Sequence, residues 1–573
     1  MNIFTHYLEI VKKTLHPKLN DFKIDQNIAF DGVVFEIPPE EFDFDLSSNI
    51  SLVLGKKSKQ NPRELAKLIK EFLIKNLDDF ETIEIAGPGF LNFKFKKIKY
   101  KEIIINIIKS NNRYGSNFKN EKYNIEFVSA NPTGPMHVGH CRGAVFGDVL
   151  SNLLIFNGNE VTKEYYINDY GNQIRNFTKS VFLRLREIKF NEKFVNEDNL
   201  YPGEYIIDIA KNILNDEPTI DLGNFEKIFL QLKKISLNHS MNLIKNDLKA
   251  LGIKHNNFVS ETSLIERNFV EKSIKYLKQK NFVINGYLEP PKGEENKNWK
   301  KIKRLIFKST LFGDDTNRAL QKDDGAWTYF ANDIAYHNDK VLRNYNYLIN
   351  ILGADHTGYI KRITAAVEAL SDKKVLLKCK VCQLVKLYKN GKPYKMSKRA
   401  GNFISVKNLL DEVDKDSIRF MMLNRSNDVE LDFDFDKILE KTKDNPVFYV
   451  QYCYARISSI FRSLNIKHDE ELKIDKDFYL NVYENKIFRK ILDWPKIIET
   501  ASNKHEPHRI PFYLYDLATL FHSYWSKGNE DEKFKFIKEG KINNRSTLIV
   551  IKLVCLTIEN GMNILGVSLP KKM

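Results

Sequence analysis

Cysteine is scarce in this sequence, with only five scattered residues among 573. An odd and scattered set predicts no disulfide framework, which favours a reducing compartment. Cys379 and Cys382 form one C-x-x-C motif, but the sequence has no second Cys or His pair at zinc-ribbon spacing. We therefore expect no tightly bound, protein-ligated metal ion.

Long hydrophobic runs are also missing. The longest, residues 548–558, is interrupted by Lys552 and is too short to span a bilayer. The first residues, MNIFTHYLE, lack the basic segment and the clean apolar stretch of a signal peptide. The sequence shows no internal repeat. These absences predict a cytoplasmic protein with no membrane partner.

Positive charge, in contrast, is in excess: Lys and Arg outnumber Asp and Glu by 90 to 74, a formal net charge of +16. A basic surface suits a polyanionic partner, because lysines near phosphates release condensed counterions. A solvated, Lys-rich surface would give the same excess, so charge alone does not establish nucleic-acid binding. A length of 573 residues exceeds what one hydrophobic core supports and predicts two to four domains.

The residue patterns change twice along the chain. We predict an N-terminal α/β domain at 1–105, an α/β domain at 106–430 with insertions at about 190–310, and a helical domain at 431–573. In the first domain, 62–76 predicts a helix, and 82–95 predicts two strands that turn at 86–89. From Asn445 onward the pattern of the last domain is all-helical, because Asn445 supplies a cap and Pro446 the first helical residue.

The middle region opens with the pattern of a doubly wound α/β sheet. Residues 124–129 are rich in β-formers, 136–156 carry apolar residues at helical spacing, and 160–167 predict a second strand. In such sheets, ligands bind at the carboxyl ends of strands and at the N-termini of helices. Further along, 384–394 predict a hairpin, since Asn390-Gly391 favours a type I′ turn.

The motif Met136-His137-Val138-Gly139-His140 lies at the start of the predicted long helix. Two histidines three positions apart share one face, beside backbone N–H groups and the positive end of the helix dipole, which suits ATP phosphates. Glycine between them lets a base or ribose approach the backbone closely. Half of a metal site, or a pair of capping histidines, would fit the same pattern.

A second motif, Lys395-Met396-Ser397-Lys398-Arg399, follows the predicted hairpin. Three cations within five residues suit a departing pyrophosphate, whose charge grows in the transition state. Alone, such a motif would favour a solvated basic loop over a pyrophosphate site. Together and in this order, the two motifs resemble the H-I-G-H and K-M-S-K-S signatures of class I aminoacyl-tRNA synthetases.

The surrounding residues resemble one family of that class, the arginyl-tRNA synthetases. The resemblance rests on residues 126–142 (EFVSANPTGPMHVGHCR), 166–169, 312–315, 323–330 and 445–458, and it covers essentially the whole chain. It implies a Rossmann-type parallel-sheet catalytic domain with insertions, an N-terminal α/β domain that binds the tRNA elbow, and a C-terminal helical anticodon-binding bundle. It also implies a monomeric enzyme that attaches L-arginine to tRNA(Arg) through arginyl-adenylate, with ATP and Mg²⁺ as substrate.

The resemblance also assigns site residues. The expected catalytic residues are His137, His140, Lys395 and Lys398, and the rest of the ATP site is Pro135, Gly139, Met396 and Ser397. The expected arginine pocket contains Glu126, Ser129, Asn131, His137, Tyr329, Asp333 and His356. A carboxylate suits this pocket, because a guanidinium presents a planar fork of donors that it accepts in parallel. Without the family, Asp333 would be interpreted as a helix cap or a surface acid.

The expected tRNA contacts are less sharply defined. They are Phe90, Asn92, Tyr449, Tyr452 and Arg456. Aromatic stacking and amide hydrogen bonds are how proteins read splayed bases. Strand packing explains Phe90 and Asn92 equally well, and Tyr449 lies on an apolar helix face that is typical of a core.

Three positions depart from the family pattern. Gly134 stands where some members have a lysine, Arg399 replaces the final serine of the second motif, and His356 stands where some relatives have a glutamine. We expect the lysines of the second motif to supply the charge that Gly134 lacks. Two other functions fit the motifs: a class I synthetase for another amino acid, and a non-catalytic RNA-binding paralogue. The intact histidines and lysines disfavour the paralogue.

Overall fold

The computed structural model describes residues 2–28, 30–39, 41–288, 302–394, 404–467, 474 and 478–573. The chain forms two compact units. We call Lys119–Leu439 the sheet unit, and Met1–Phe118 together with Glu440–Met573 the terminal unit. The predicted pyrophosphate-binding residues, Lys395 to Arg399, lie outside the described residues.

The N-terminal part of the terminal unit is an antiparallel sheet with four helices. The helices are α1 (Ile3–Leu15), α2 (Ile50–Ser58), α3 (Pro62–Asn76) and α4 (Lys97–Ser110). The strands are β1 (Phe35–Glu36), β2 (Leu46–Ser48), β3 (Phe80–Ala86) and β4 (Phe90–Phe95), in the order β1-β2-β4-β3. Helix α3 begins as predicted, because the Asn61 side chain accepts hydrogen bonds from two backbone N–H groups of its first turn.

The sheet unit contains the parallel sheet that the sequence predicts. Its helices are α5 (Val138–Phe156), α6 (Asn172–Phe190), α7 (Glu204–Asp216), α8 (Phe225–Ala250), α9 (Glu261–Glu266), α10 (Phe269–Gln279), α11 (Tyr329–Leu342), α12 (Ile360–Ser371), α13 (Val406–Glu412), α14 (Lys415–Met421) and α15 (Phe435–Leu439). Its strands are β5 (Lys122–Glu126), β6 (Glu160–Ile167), β7 (Asn257–Ser260), β8 (Val283–Gly286), β9 (Arg304–Phe307), β10 (Arg318–Ala319), β11 (Tyr347–Gly353), β12 (Leu376–Cys382), β13 (Val385–Lys389), β14 (Lys392–Pro393) and β15 (Leu431–Asp434).

The main sheet has the order β12-β11-β5-β6-β7, and each neighbouring pair is parallel. The chain runs from β5 outward to β7 and later returns to place β11 on the other side of β5. The strand order therefore reverses between β5 and β11. Ligands bind outside the carboxyl ends of the strands at such a switch point.

Two details of this unit differ from the sequence expectations. The sequence predicts a β-rich run at 124–129, but the strand ends at Glu126. Val128 and Ser129 leave the extended conformation, with φ values of 70° and 39°. Strand β7 joins the main sheet, although it lies within the stretch predicted as an insertion. The predicted hairpin is confirmed as β13 and β14, and both Asn390 and Gly391 have the positive φ that a type I′ turn requires.

The C-terminal part of the terminal unit is helical, as predicted, apart from one short hairpin. The helices are α16 (Pro446–Ser463), α17 (Val482–Lys504), α18 (Arg509–Glu530) and α19 (Arg545–Leu565), and the hairpin is β16 (Ile537–Lys538) with β17 (Lys541–Ile542). In the described part of the chain, α19 is the one helix long and apolar enough to cross a membrane. Of its apolar stretch, 89% is buried within the protein, as in a core helix.

Candidate active site

Side chains from four strands meet at the carboxyl edge of the main sheet. Glu126 ends β5, Asp169 follows β6, Glu261 follows β7, and a 3₁₀ turn, Ala354–Tyr359, follows β11. Neighbouring parallel strands end at the same edge, so residues far apart in sequence become neighbours here. This edge contains the Glu126 that the sequence predicts for an arginine pocket.

The turn after β5 is strained. Val128 is β-branched and adopts φ 70°, a conformation that such residues rarely take outside functional turns. The turn brings the Ser129 hydroxyl within 3.1 Å of Glu126 Oε1, to which it donates, and the same hydroxyl accepts from the Tyr166 N–H at 3.1 Å. Asn131 is exposed and donates instead to Gln173 Oε1 at 3.1 Å. Ser129 and Asn131 therefore do not share a strand face, because the strand ends before both of them.

The two motif histidines cap helix α5. The N–H of Gly139 donates to His137 Nδ1 at 3.1 Å, and the N–H of His137 donates to His140 Nδ1 at 3.2 Å. A neutral imidazole whose Nδ1 accepts a hydrogen bond carries its proton on Nε2, which is then a donor suited to phosphate oxygens. Capping and phosphate binding are thus compatible. Glycine is needed between the histidines, since a Cβ at Gly139 would lie 2.9 Å from the His137 ring.

The segment that follows the second motif pairs with the first motif. Val138 N–H donates to Ile404 O at 3.0 Å, and Val406 N–H donates to Met136 O at 3.1 Å. His137 and Ser405 are antiparallel partners between these two bonds. Residue 404 is only six positions after Lys398, so the segment that pairs with the histidine motif lies close in sequence to the predicted pyrophosphate-binding lysines. The sequence does not predict this contact, because the two segments lie far apart along the chain.

Helix α8 also supports the histidine motif. The Asp247 carboxylate accepts the Met136 N–H at 2.8 Å. Burial raises the pKa of Asp247 to about 6, and the hydrogen bond from Met136 opposes that rise. A helix from the predicted insertion thus fixes the backbone immediately before His137.

Asp333 lies on the second turn of helix α11, facing the site. It accepts a hydrogen bond from the Tyr359 hydroxyl, on the turn after β11. Burial raises the pKa of Asp333 to about 7; the Tyr359 bond lowers it, and the nearby Glu261 and Glu126 raise it further. The capping role in α11 belongs to Thr328, whose hydroxyl accepts from the Ala331 N–H. Asp333 is therefore neither a helix cap nor a surface acid.

A buried network behind Asp333 was not expected from the sequence. Lys340 is fully buried, and its Nζ donates to Glu126 Oε2 at 2.6 Å and to Asn350 Oδ1 at 3.2 Å. The His337 ring makes two hydrogen bonds. Its Nε2 lies 2.9 Å from Asn350 Nδ2, and its Nδ1 lies 2.8 Å from the carbonyl oxygen of Asp333. Burial lowers the pKa of His337 to about 3, so its ring is neutral. The positions 333, 337 and 340 share one helix face, and that spacing is the signal that could have revealed them.

Tyr329 and His356 are both exposed. Tyr329, the first residue of α11, is 70% exposed, with the Lys322 ammonium 5.4 Å from its ring centroid. His356 is exposed in the turn after β11, 3.5 Å from the Asp355 carboxylate. In that turn it is Tyr359 that contacts Asp333. The arginine-binding roles of Tyr329 and His356 stay predictions.

The predicted tRNA contacts lie in the terminal unit. Asn92 is only 3% exposed within β4, which favours strand packing, while Phe90 is half-buried at the start of that strand. On α16 the Arg456 guanidinium lies 4.2 Å from the Tyr452 ring centroid and donates to its hydroxyl at 3.0 Å. Tyr449 packs at 4.3 Å between ring centroids against His522. These contacts assemble a stacked cation–aromatic surface, and its RNA-binding role stays a prediction.

Cys379 and Cys382 both lie on β12, and burial raises the pKa of each thiol to about 12. Within the described ranges, no group of three or more His, Cys, Asp or Glu side chains has the geometry to hold a metal ion.

Three family models match consecutive parts of the chain. They describe an arginyl tRNA synthetase N-terminal domain at residues 6–95, the catalytic domain of class I (R) tRNA synthetases at 103–457, and a DALR anticodon-binding domain at 450–573. The arginine–tRNA ligase of Pelagibacter ubique is 53% identical over the full length of both chains. The chain belongs to the arginyl-tRNA synthetases.

Two solved structures agree with this membership. A putative arginyl-tRNA synthetase from Campylobacter jejuni is 32% identical, with a TM-score of 0.73 over 84% of this chain and all of that one. The Thermus thermophilus arginyl-tRNA synthetase has the same fold, with a TM-score of 0.69 over 99% of this chain and all of that one, at 18% identity. The chain is a class I arginine–tRNA ligase, and it has the parallel-sheet catalytic fold and the C-terminal helical bundle that the sequence predicts.

Proposed function

We propose that this synthetase forms arginyl-adenylate at the carboxyl edge of the main sheet and then transfers the arginyl group to tRNA(Arg). The observation that carries this assignment is the pairing of residues 136–138 with 404–406. This pairing connects the histidine motif to the chain leaving the lysine motif. The carboxylates of Glu126 and Asp333 belong to the same sheet edge, so the ATP and amino-acid sites adjoin.

Arginine is recognised through charge and planar geometry. The guanidinium is bound by Asp333 and Glu126, with Tyr329 and His356 at the pocket, while Ser129 and Asn131 hold the amino-acid end. Lys340 is fully buried against Glu126 and fixes the position of that carboxylate. A buried carboxylate gains most from a cation, because the low local dielectric strengthens their attraction. Neutral analogues of arginine are rejected because they leave this charge uncompensated.

Adenylate formation needs positioning rather than a protein nucleophile. An oxygen of the arginine carboxylate attacks the α-phosphorus of Mg-ATP, the bond from that phosphorus to the bridging β-oxygen breaks, and pyrophosphate leaves. His137 and His140 donate through Nε2–H to phosphate oxygens, beside the N-terminus of α5, while Pro135 and Gly139 admit the nucleotide. Lys395 and Lys398, with Met396 and Ser397, bind the departing pyrophosphate. A ribose hydroxyl of tRNA then attacks the acyl carbon, and AMP leaves.

We assign the tRNA to the flanking domains. Residues 1–105 bind the tRNA elbow with Phe90, which is half-buried, whereas the predicted contact Asn92 is 3% exposed and packs within β4. Residues 106–430 form the catalytic domain, and 431–573 bind the anticodon with Tyr449, Tyr452 and Arg456. The stacked Arg456 and Tyr452 support the last assignment, since a base inserts favourably beside an aromatic ring and a guanidinium. The enzyme works as a cytoplasmic monomer.

The direct test is ATP–pyrophosphate exchange with each of the twenty amino acids in the presence of tRNA(Arg). Arginine alone is expected to support exchange. Strong exchange with another amino acid would assign the chain to a different specificity, and the absence of both exchange and tRNA charging would indicate a non-catalytic RNA-binding protein.

Two histidine substitutions, one in the proposed ATP site and one outside it, give a matched test of that site. His140→Ala removes a proposed phosphate donor and should lower exchange by at least tenfold. His239→Ala removes a histidine of α8 that pairs with Asp216 and should leave exchange unchanged. Equal activity of the two variants would remove His140 from the proposed site.

A further inference from the structure

The loop that leads into the histidine motif, residues 131–136, contacts the three successive helices α6, α7 and α8. We propose that these helices position the histidine motif for adenylate formation by fixing this loop, and that Tyr205 and Asp247 are the positioning residues. The inference rests on the ATP site proposed above. It assigns a role to α7 and α8, which lie in the stretch predicted as an insertion.

Helices α6, α7 and α8 share one hydrophobic core, so they hold the loop as a single body. Phe177 and Val181 of α6, Ile209 of α7 and Leu232 of α8 are all buried in this core. Tightly packed interiors have few voids and resist deformation. A loop residue that is fixed to one of the three helices is therefore fixed relative to the other two.

Tyr205, the second residue of α7, packs against this core and places its ring beside Gly134. A Cβ atom at Gly134 would lie 3.0 Å from Cζ and 3.1 Å from Cε2 of the ring. A Cβ atom at Gly203 would lie only 2.4 Å from Cε1, on the opposite edge of the ring. Since the two glycines face opposite edges, the ring cannot move away from one without closing on the other.

Gly134 is required by this contact and not by its backbone conformation. Its φ lies outside the left-handed region, so the backbone at this position would accept an L side chain. The ring of Tyr205 occupies the space that such a side chain would enter. The same contact accounts for glycine at a position where some members of the family have a lysine.

Asp247 fixes the other end of the loop. From the last turn of α8, its carboxylate accepts the Met136 N–H at 2.8 Å. The Met136 carbonyl accepts from the Val406 N–H at 3.1 Å, and the Met136 side chain is fully buried. Because both backbone groups of Met136 have partners, the adjoining His137 has little conformational freedom.

The position of this loop sets the position of the proposed phosphate donors. The His137 N–H donates to His140 Nδ1 at 3.2 Å, so both rings follow the backbone that Met136 anchors. Catalysis by positioned groups depends steeply on distance, and a displacement of about 1 Å can cost about a hundredfold in rate. A loosened loop should therefore slow adenylate formation more than it weakens arginine binding, since Glu126 and Asp333 lie on β5 and α11.

The experiment is ATP–pyrophosphate exchange by the full-length enzyme with tRNA(Arg), with ATP and arginine varied in turn. Tyr205→Leu should lower kcat by about tenfold and raise the KM for ATP, while the KM for arginine stays within about twofold of wild type. Tyr201→Leu is the matched control, because Tyr201 packs against the same core beside Phe177. Its kcat should match that of wild type.

Asp247 is tested through its role as a hydrogen-bond acceptor. Asp247→Asn keeps a carbonyl oxygen for the Met136 N–H and should retain kcat within about threefold, whereas Asp247→Leu leaves that N–H unpaired and should lower kcat about tenfold. Asn and Leu have the same branched shape, so the comparison isolates the acceptor. Melting temperatures report whether each variant is folded.

Gly134→Ala tests the contact from the side of the loop and leaves the core of the three helices unchanged. Its methyl group meets the Tyr205 ring, and such overpacking should lower kcat about tenfold. In the Tyr205→Leu background the same alanine should cost little, because the smaller side chain leaves room. Gly286→Ala is the control, since the nearest atom to a Cβ there is 3.4 Å away. Should Tyr205→Leu fail to fold, Gly134→Ala and the two Asp247 variants carry the test.

The outcomes separate this proposal from the ATP site on which it rests. Wild-type kcat in Tyr205→Leu and Asp247→Leu, with exchange reduced in His140→Ala, would overturn the positioning role and leave the ATP site standing. Full activity of His140→Ala would instead refute the ATP site. Equal losses in Tyr205→Leu and Tyr201→Leu, or additive effects of Gly134→Ala and Tyr205→Leu, would also overturn the proposal.

Discussion

At the scale of single residues, two carboxyl groups of the sheet unit, the fully buried Glu164 and the partly buried Asp333, differ in what faces them. Glu164 accepts hydrogen bonds from Arg343 and Tyr336, and although burial raises its pKa, these bonds and the nearby cations bring it to about 2. Asp333 faces a neutral hydroxyl and other carboxylates, and its pKa is about 7. The first is a structural ion pair complete within the protein; for the second, we propose the guanidinium of arginine as the partner.

Replacing Asp333 with Asn should weaken arginine use specifically. A charge-assisted hydrogen bond to a carboxylate contributes about 1.5–3 kcal/mol, which corresponds to a loss of about 10- to 150-fold in kcat/KM for arginine. The KM for ATP should stay within about twofold, because Asp333 does not belong to the ATP site. Steady-state aminoacylation with each substrate varied in turn measures both values, and an unchanged kcat/KM for arginine would contradict the assignment.

The Glu164–Arg343 pair should stabilise the sheet unit in a pH-dependent way. A pKa lowered from 4.5 to about 2 corresponds to about 3 kcal/mol of stability, present above pH 4.5 and lost as pH falls through 2. Glu164→Gln should therefore lower the melting temperature at pH 7, and the difference from wild type should shrink steadily below pH 4.5. Calorimetric scans at several pH values test this, and a difference that does not change with pH would rule out the ion pair as its source.

At the scale of elements, capping and periodicity predicted most of what is observed. Pro62–Asn76 and Glu160–Ile167 have the predicted bounds, because a cap, a proline and an alternating apolar pattern are local signals. The end of β5 was missed by three residues, since the left-handed turn at Val128 goes against the preference of its own residues. Local preference cannot anticipate a conformation that the surrounding fold imposes.

The candidate site was predictable only where a motif marks it. Glu126, His137 and Asp333 were found because they belong to family patterns. Lys340 and Glu261 were not. Helical spacing places Lys340 on the same face of α11 as Asp333, but its contact with Glu126 arises only through long-range packing, as does the contact of Glu261 with α11. The spacing of residues along the sequence does not show which strands become neighbours in the sheet.

The pairing between the two motif segments can be tested at Val406. Val406→Pro removes the N–H that donates to Met136 O, while proline at the first position of α13 is compatible with the helix. Loss of one hydrogen bond of about 1 kcal/mol should slow ATP–pyrophosphate exchange about fivefold. Val406→Ala loses comparable packing but keeps the N–H, so it should be clearly more active. Equal rates for the two variants would show that the bond does not matter for activation.

At the scale of the whole molecule, the first and last parts of the chain form one packed unit. Arg489 on α17 donates to Asp43 at 2.9 Å and lies 3.5 Å from the fully buried Asp45. The Trp494 indole donates to the carbonyl of Tyr114 at 2.9 Å. The two proposed tRNA-binding domains therefore support each other's fold, although about 320 residues of the sheet unit separate them in sequence.

Breaking this contact should destabilise the terminal unit. Arg489→Met leaves the Asp45 charge buried without its cation, and removal of one partner of a buried pair costs about 3–5 kcal/mol. Lys490→Met is the control, because its partner Asp516 is exposed and such a pair contributes under about 1 kcal/mol. Limited proteolysis and thermal unfolding of both variants compare the effects. A melting temperature of Arg489→Met equal to that of Lys490→Met would contradict the contact.

The central claim is that the guanidinium of arginine binds the carboxylates at the sheet edge. A crystal structure of the enzyme with tRNA(Arg) and a non-hydrolysable arginyl-adenylate analogue tests it most directly. We predict guanidinium nitrogens within about 2.7–2.9 Å of Asp333, with Glu126 beside them and the adenylate phosphate at His137 and His140. A guanidinium bound elsewhere, with Asp333 still accepting only from Tyr359, would contradict the account.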